Sequence, residues 1–200
     1  MITVEEFFDL NNVSFSDLFK DLSYPWEALS NMQSYLDSKI NTENVVVGEG
    51  TVIEKDAVIK GKAIIGKNCL IGNAVLMRDN CILGDNVQIG HGVELKNVII
   101  LNNSSIAHLN YVGDSIVGNN VNISAGAIVA NLRLDRQEIL VNIQGEKINT
   151  GLGKFGAIIG DGCAVGVNSV LNPGTILGKN CVVYPLTSVR GFHQANEIIK

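Results

Sequence analysis

The chain has 200 residues, of which 46% are hydrophobic and 18% charged, and its 15 basic and 20 acidic residues give a net charge of −5. This balance excludes an intrinsically disordered chain and argues against an extended nucleic-acid-binding surface. The opening residues 1–6 lack the basic start and apolar run of a signal peptide, and no apolar stretch approaches the roughly 18 residues of a membrane span. We therefore expect a soluble, cytoplasmic protein with no nucleic-acid or membrane partner.

Residues 1–44 predict a helical segment. Thr3 and Glu6 have the spacing of a capping box, and Pro25 suits the first turn of a helix. Apolar residues then recur at steps of three or four, in the series Trp26, Leu29, Met32, Leu36 and Ile40. We interpret the segment as a cap or linker that covers the open end of the following domain. The alternative is an arm that docks on a neighbouring subunit.

Residues 45–200 carry a six-residue repeat. Every sixth residue from the first valine of the series is aliphatic, namely Val47, Ile53, Ile59, Ile65, Ile71, Met77, Leu83, Ile89, Leu95 and Leu101. A helix would need a period near 3.6 and a simple strand a period of 2. A period of six predicts a short strand and a turn in each unit, three units to a triangular coil, and coils stacked about 4.8 Å apart. The sequence therefore predicts an all-β solenoid, a parallel β-helix of hexapeptide repeats.

Two irregularities interrupt this repeat. The step from Leu101 to Val117 falls two residues short of three full repeat units, which predicts a shortened coil around Ser105–Gly113. Between about residues 130 and 158 the repeat is absent; Ile139, Val141 and Ile143 alternate there, and Gln144-Gly145-Glu146 predicts the turn of a hairpin. An excursion of this length from a solenoid is more often functional than neutral.

No metal site is predicted. The four cysteines fall at the small-residue positions of the repeat, where a reduced thiol packs as a small hydrophobic group: Cys69, Cys81, Cys163 and Cys181. None of them has the C-x₂₋₄-C spacing of zinc ligands. The histidines His91, His108 and His193 do not form an H-x₄-H pair, so a metal-dependent hydratase ranks last among the functions considered.

Basic residues follow the aliphatic position in three consecutive coils. Lys60, Arg78 and Lys96 are each separated by three repeat units and are therefore expected to form one strip along the β-helix. Stacked cations repel unless an anion compensates them. A sugar phosphate bound by a guanidinium fork and by ammonium groups would do so. Glutamates such as Glu54 and Glu94 are the alternative.

His108 lies in the shortened coil, two repeat units after Lys96. Histidine has a reference pKa of about 6.5 and suits general-base catalysis at cytoplasmic pH. The spacings of Glu94, Asn122 and Asn131 bring further polar groups from successive coils towards the same place. These residues are the candidate active site.

Several segments resemble the acetyltransferase domain of glucosamine-1-phosphate N-acetyltransferases, and most closely the archaeal-type sugar-1-phosphate enzymes. The resemblance covers roughly residues 24–190, and the matching segments are 24–27, 93–97, 108–114, 120–126, 131–133 and 154–161. Its most specific part is the HLxYxGD motif that begins at His108. The resemblance implies a left-handed β-helix that forms homotrimers with active sites between subunits.

The resemblance also implies residue roles. His108 corresponds to the catalytic base, Glu94 to the carboxylate that orients it, and the backbone N–H of Ala125 to the oxyanion donor. The substrate contacts correspond to Arg78, Lys96, Tyr111, Asn122 and Asn131. The co-substrate is acetyl-CoA, expected along a groove between subunits, and no metal is required. Ala125, Lys154, Lys179 and Arg190 are the candidate contacts for it.

This sequence departs from the family pattern at two places in the site. The family has lysines after Asn131 that reach the substrate phosphate, whereas this chain has Asp135–Leu140 without a lysine, so Arg136 is the substitute to consider. The usual glycine before the oxyanion alanine is Ser124.

Residues 1–44 are too short for a nucleotidyltransferase domain, so we expect no such activity and a separate nucleotidyltransferase to complete the pathway. The predicted function is acetyl-CoA-dependent N-acetylation of an amino-sugar 1-phosphate, glucosamine-1-phosphate or galactosamine-1-phosphate. The alternatives are a hexapeptide acyltransferase for a nucleotide-linked amino sugar or another amine, and a non-catalytic trimeric scaffold.

Overall fold

The computed structural model describes residues 2–40, 44–143 and 145–200. The N-terminal segment forms helix α1 (Val4–Phe7), a 3₁₀ turn (Ser16–Phe19) and helix α2 (Glu27–Lys39). The capping box at α1 is present, because Glu6 Oε1 accepts a hydrogen bond from the backbone N–H of Thr3 at 3.1 Å. Met1, from the opening residues considered for a signal peptide, and Gln144, from the expected hairpin turn, lie outside the described residues.

The rest of the chain consists of short strands. In chain order they are β1 (Val45–Val47), β2 (Val52–Ile53), β3 (Val58–Ile59), β4 (Ala63–Ile65), β5 (Leu70–Ile71), β6 (Leu76–Leu83), β7 (Gln88–Ile89), β8 (Glu94–Ile100), β9 (Ser105–Ile106), β10 (Tyr111–Val117), β11 (Asn122–Ile123), β12 (Ile128–Val129), β13 (Leu140–Ile143), β14 (Glu146–Asn149), β15 (Ala157–Ile159), β16 (Ala164–Val165), β17 (Val170–Leu171), β18 (Thr175–Leu177), β19 (Val182–Val183), β20 (Ser188–Val189), β21 (Phe192–His193) and β22 (Ile198–Ile199).

All strands except the pair β13–β14 stack in parallel and form the three faces of a prism. Face 2 is the sheet β2-β5-β7-β9-β11-β16-β19-β22. A second sheet bends around a corner, because β6, β8 and β10 run through it without a break. Its first half is face 3, with β3, β12, β17 and β20, and its second half is face 1, with β1, β4, β15, β18 and β21. The predicted parallel β-helix is confirmed.

Strands β4–β12 and β15–β20 each contribute a buried aliphatic residue to the interior, as the repeat predicts. The register differs from the prediction at one point: the interior residue paired with Leu83 is Ile100, and Leu101 packs outside the prism. In the coil that contains Leu83, two residues, Asp79 and Asn80, form the corner between face 3 and face 1. In the next coil a single residue with a positive φ, Asn97, forms this corner. The following pair of coils is again offset by one residue less than a full coil. The two residues missing from the repeat are therefore lost at two separate corners, one residue at each. Its expected place at Ser105–Gly113 is wrong.

The N-terminal segment covers face 1. Phe7, Trp26, Met32 and Leu36 pack in one buried cluster with the outward-pointing isoleucines of this face, which are Ile64, Ile82, Ile99, Ile116, Ile158 and Ile176. The first coil is open instead: its interior residues Val47 and Ile53 are 44% and 37% exposed. This differs from the expected cap over the first coil, because the outward isoleucines of face 1 give the helices an apolar surface to bury.

An antiparallel hairpin, β13 with β14, lies where the repeat is absent. Ile139, Val141 and Ile143 of this segment are buried in the same cluster as the N-terminal helices. All four cysteines are buried free thiols. Among the residues described, none of the helices combines the length and the apolar character needed to cross a bilayer.

Candidate active site

His108 and Ala125 occupy the same position in consecutive coils, at the corner between face 2 and face 3. The strands on both sides of this corner pair with the shortened offset, as Ser105 with Asn122 and Tyr111 with Ile128. Residues 108 and 125 are therefore in register, and neighbouring coils lie about 4.8 Å apart. The backbone N–H of Gly126 donates to the His108 carbonyl at 2.9 Å, which ties the two corners together. The His108 side chain is exposed.

A second histidine precedes His108 at this corner. The same shortened offset places His91 one coil before His108. Its Nδ1 lies 3.1 Å from the Asn73 side-chain oxygen and 3.2 Å from the Asn73 carbonyl oxygen. His91 was not among the predicted site residues, although its spacing from His108 equals one shortened coil. Glycine is required at position 90, because a Cβ there would lie 2.5 Å from the Ala107 carbonyl oxygen and 3.0 Å from His108 Nδ1.

Arg78 and Lys96 are direct strand partners at the opposite edge of face 3, where it turns into face 1. Lys60 follows the strand below, and its backbone N–H donates to the Met77 carbonyl. Two cations of the strip, Arg78 and Lys96, are compensated within the chain. Arg78 Nη1 lies 3.4 Å from Glu94 Oε1, and Lys96 Nζ lies 3.4 Å from Asp79 Oδ2. Glu94 is thus the anion that faces Arg78. This agrees with the alternative prediction that glutamates, rather than a bound phosphate, compensate the cations.

The carboxylate of Asp114 binds Lys96 most closely. Lys96 Nζ lies 3.2 Å from Asp114 Oδ2, and both side chains are largely buried. Asn97 Nδ2 donates to Asp114 Oδ1 at 3.0 Å, and Asn131 Nδ2 donates to Asp114 Oδ2. Burial alone lowers the pKa of Lys96, but the charge of Asp114 and the hydrogen bonds to Asp114 and Asp79 outweigh it and raise the pKa above its usual value. In the sequence Asp114 is the last residue of the HLxYxGD motif, and its position three repeat units after Lys96 was the signal for this contact.

Face 3 joins the two corners. Tyr111 is the strand partner of Glu94, and its neighbour Gly113 is the partner of Lys96. His108 precedes Gly113 by five positions, so at most about 17 Å of strand separates the histidine from the basic edge. Burial, and then the charge of Asp114, raises the pKa of the Tyr111 phenol. The outer surface of face 3 therefore places a phenol between an imidazole and two cations.

Other expected contacts divide between the two corners. Asn122 lies on face 2, next to Ser105 and on the side of His108. Asn131 lies with Asp114 at the basic edge. Among the residues described, no hydrogen bond joins Glu94 to His108, since the Glu94 carboxylate is turned to Arg78. The role of Glu94 in orienting His108 stays a prediction.

The three basic candidates for coenzyme A lie apart from one another. Arg190 is exposed and, with Arg133, lines a cavity of about 510 Å³ above the basic edge. Lys179 lines a different cavity, beside the N-terminal residues Glu5 and Asp9. Lys154 is exposed in the segment between the hairpin and β15. The structure therefore does not gather them into one site.

The residues that stand where the family has lysines are exposed. Arg136 lies in a turn with a φ of 60°. Arg133 is bound to Asp135, with Nη2 2.5 Å from Oδ2, and these hydrogen bonds lower the pKa of Asp135 to about 2. Across residues 2–40, 44–143 and 145–200, no group of three or more His, Cys, Asp or Glu side chains is placed to hold a metal ion.

The fold and the repeat define the class of protein. Residues 44–78 match the family described as bacterial transferase hexapeptide (six repeats), residues 156–184 the hexapeptide repeat of succinyl-transferase, and residues 76–153 the GMPPB C-terminal domain. A variant of the N-acyltransferase AntD from Bacillus cereus, solved with dTDP and coenzyme A, superposes with a TM-score of 0.50 at 16% identity over 81% of this chain and 80% of that one. The fold is the left-handed β-helix of hexapeptide-repeat proteins.

The relatives narrow this class. The bifunctional protein GlmU of Methanococcus maripaludis is 47% identical over 186 residues, which cover 87% of this chain and 45% of that protein. The bifunctional sugar-1-phosphate nucleotidylyltransferase/acetyltransferase of Sulfurisphaera tokodaii is 42% identical over 87 residues, 44% of this chain and 22% of that protein. The chain is thus a homologue of the archaeal bifunctional sugar-1-phosphate enzymes, and the resemblance found in the sequence is confirmed. It spans less than half the length of these relatives.

Proposed function

We propose that the chain is an acetyltransferase that moves the acetyl group of acetyl-CoA to the amino group of an amino-sugar 1-phosphate. The observation that carries this proposal is the layout of face 3, where His108 stands at one edge and Arg78 with Lys96 at the other. An amino-sugar 1-phosphate carries both groups that these residues suit, a nucleophilic amine for the imidazole and a phosphate dianion for the cations, on neighbouring carbons. The homology to bifunctional acetyltransferases supports the same reading.

In this proposal His108 is the general base. The sugar nitrogen attacks the thioester carbonyl carbon and forms the new C–N bond, while His108 takes the proton that the nitrogen loses. The tetrahedral intermediate then expels the sulfur, the C–S bond breaks, and the thiolate is protonated to release coenzyme A. General-base catalysis contributes typically about 10²–10⁴-fold to the rate.

The backbone N–H of Ala125 is the proposed oxyanion donor. It lies one coil from His108 at the same corner, so the base and the oxyanion can face one reacting carbon. A single donor of this kind lowers a barrier by about 3–4 kcal/mol. Direct transfer fits the buried state of all four cysteines, because a nucleophilic thiol must be exposed and ionised.

Arg78, Lys96 and Tyr111 are the proposed phosphate contacts, with Asn122 and Asn131 on the sugar. Glu94 and Asp114 would then share these cations with the phosphate. We propose that the chain forms a homotrimer in the cytoplasm and that neighbouring subunits supply the remaining walls of the site. Acetyl-CoA would bind between subunits, towards Lys154, Lys179 or Arg190. We assign nucleotidyl transfer, the other activity that the name of the Sulfurisphaera tokodaii relative gives, to a separate catalytic domain.

A thiol-release assay tests the proposal. Purified chain is given acetyl-CoA with glucosamine-1-phosphate, galactosamine-1-phosphate or a UDP-linked amino sugar in parallel. Release of coenzyme A with either sugar phosphate supports the proposal. Release with the UDP-linked sugar alone contradicts it and supports an acyltransferase that acts on a nucleotide-linked amino sugar. No release with any acceptor, together with no heat of acetyl-CoA binding in calorimetry, would make the chain a scaffold.

A further inference from the structure

Asn110 is a buried amide without a partner beneath the candidate active site. It follows His108 by two residues and is only 3% exposed. Neither its Oδ1 nor its Nδ2 makes a hydrogen bond with any of the described residues. Buried amides in proteins are almost always paired, so an exception calls for an explanation.

Other corners of the prism show what an interior polar side chain does. Ser169 Oγ donates to the Tyr184 carbonyl at 2.8 Å, Ser104 Oγ to the Gly118 carbonyl at 2.6 Å, and Cys163 Sγ to the Gly178 carbonyl at 3.1 Å. In each case the acceptor belongs to the turn of the next coil. The interior side chain thereby holds that turn in place.

The same rule gives Asn110 an acceptor. Ser169 stands in the same interior column as Asn110. The carbonyl of each accepts a hydrogen bond from the first residue of the face 3 strand in the coil before its own. The acceptor of Ser169 precedes the next member of the column, Thr187, by three residues. The next member after Asn110 is Ala127, and three residues before it is Ser124. Within the described chain the Ser124 carbonyl accepts no hydrogen bond.

We propose that Asn110 is a positioning residue whose Nδ2 donates to the Ser124 carbonyl. That carbonyl belongs to the same peptide unit as the N–H of Ala125, so the inference rests on the proposed function of Ala125 as oxyanion donor. A hydrogen bond to the carbonyl of a peptide polarises its N–H and strengthens it as a donor. The amide would also fix the direction of that N–H.

A small adjustment of the coils closes this bond. The backbone hydrogen bond from Tyr111 N to Ala127 O is 3.3 Å long, whereas the corresponding bonds of the same column are 2.8 or 2.9 Å. The two coils are therefore spread at Asn110. The free-energy cost of leaving the buried amide unpaired drives the adjustment.

Two substitutions test the kinetic consequence. Asn110→Val copies Val75 and Val93 of the same column and removes the donor, whereas Asn110→Ser copies Ser169 and keeps one. We expect Asn110→Val to fold, to keep the KM of both substrates, and to lose roughly two- to sevenfold in kcat, the share that polarisation adds to one oxyanion donor. Asn110→Ser restores kcat. An unchanged kcat in Asn110→Val, or a loss that Asn110→Ser does not restore, overturns the proposal.

A spectroscopic measurement separates this inference from the function. In protein with ¹⁵N-labelled alanine, a hydrogen bond to the Ser124 carbonyl deshields the amide nitrogen of Ala125. We expect this resonance to move upfield in Asn110→Val and to return in Asn110→Ser, with no substrate present. If the wild-type chain transfers no acetyl group but the resonance moves, the proposed function fails and the hydrogen bond stands. A resonance that is identical in Asn110→Val and wild type refutes the hydrogen bond itself.

Discussion

The ammonium group of Lys96 lies 3.2 Å from the carboxylate of Asp114, at the edge where face 3 turns into face 1. The same carboxylate accepts hydrogen bonds from Asn97 and Asn131. One acidic side chain therefore positions a proposed phosphate ligand and a proposed sugar ligand. Asp114 is only 6% exposed, so its charge acts at low dielectric on both partners.

Replacing Asp114 with Asn is expected to weaken acceptor binding and stability together. Lys96 loses its closest counter-ion, and we expect a stability loss of about 1–3 kcal/mol in urea unfolding. The KM for the amino-sugar phosphate rises while the KM for acetyl-CoA stays constant. Asp79→Asn is the control, because Asp79 is more than half exposed and contacts the same ammonium at 3.4 Å. Equal effects of both substitutions would remove Asp114 from this role.

The ion pair of Lys96 gives a pH dependence of known sign. Its pKa is raised above the usual 10.5, so the stability that the cation contributes is complete below pH 10.5 and is lost as the pH rises through the higher folded-state pKa. We therefore expect the difference in unfolding free energy between wild type and Asp114→Asn to stay constant from about pH 6 to about pH 9. A difference that shrinks over this range would mean that Lys96 loses its proton early.

Replacing His108 with Ala tests the proposed base. We expect acetyl transfer to fall by about 10²–10⁴-fold, with the circular dichroism spectrum unchanged, because the exposed ring contributes little to packing. The matched control is His91→Ala, which removes an exposed imidazole one coil earlier at the same corner. The His91 ring is engaged with Asn73, so its removal should leave thiol release near the wild-type rate. Comparable rates in the two variants would contradict the assignment.

The thiol of Cys81 should resist alkylation. Burial raises its pKa to about 12, so the reactive thiolate is scarce at any pH used for labelling. Mass spectrometry after iodoacetamide treatment is expected to find Cys81 unmodified in the folded protein and modified in urea. Cys81→Ala should retain acetyl transfer, since direct transfer needs no thiol. Loss of transfer in a folded Cys81→Ala variant would point to an acyl-cysteine step instead.

The repeat predicted the interior of the prism because each inward position demands an aliphatic side chain. It failed at Leu101, because the corner at Asn97 is one residue shorter than the repeat predicts. Ile99, Ile100 and Leu101 are all aliphatic, so nothing in the sequence indicated this shift. Hydrophobicity alone could not choose among three adjacent aliphatic residues.

The sequence contained an indication of where the helices pack, but the six-residue pattern of inward residues did not include it. Outward positions on face 1 are isoleucines, such as Ile82, Ile116 and Ile158, whereas outward positions elsewhere include Gln88 and Asn122. An apolar outer face needs a cover. In the site, spacing alone aligned Arg78 with Lys96, but it could not show that Glu94 turns to Arg78, because that choice depends on side-chain rotamers.

The cover on face 1 is expected to be essential for stability, and Trp26 is its most informative member. Its side chain is 2% exposed, stacks on Tyr24 at 4.6 Å between ring centroids and contacts Phe155 at 6.1 Å. Trp26→Ala should lower the free energy of unfolding by about 3–5 kcal/mol, because it leaves a cavity between the helices and the isoleucines of face 1. Urea unfolding followed by circular dichroism measures this change.

Leu134→Ala is the control for Trp26→Ala, because the Leu134 side chain is fully exposed. We expect its stability to stay within about 0.5 kcal/mol of wild type. If Trp26→Ala unfolds at the wild-type urea concentration, the helices do not pack on face 1 in solution, and the prism then exposes its row of isoleucines. That state would bind a hydrophobic dye and aggregate, so dye fluorescence and light scattering distinguish it from a well-packed variant.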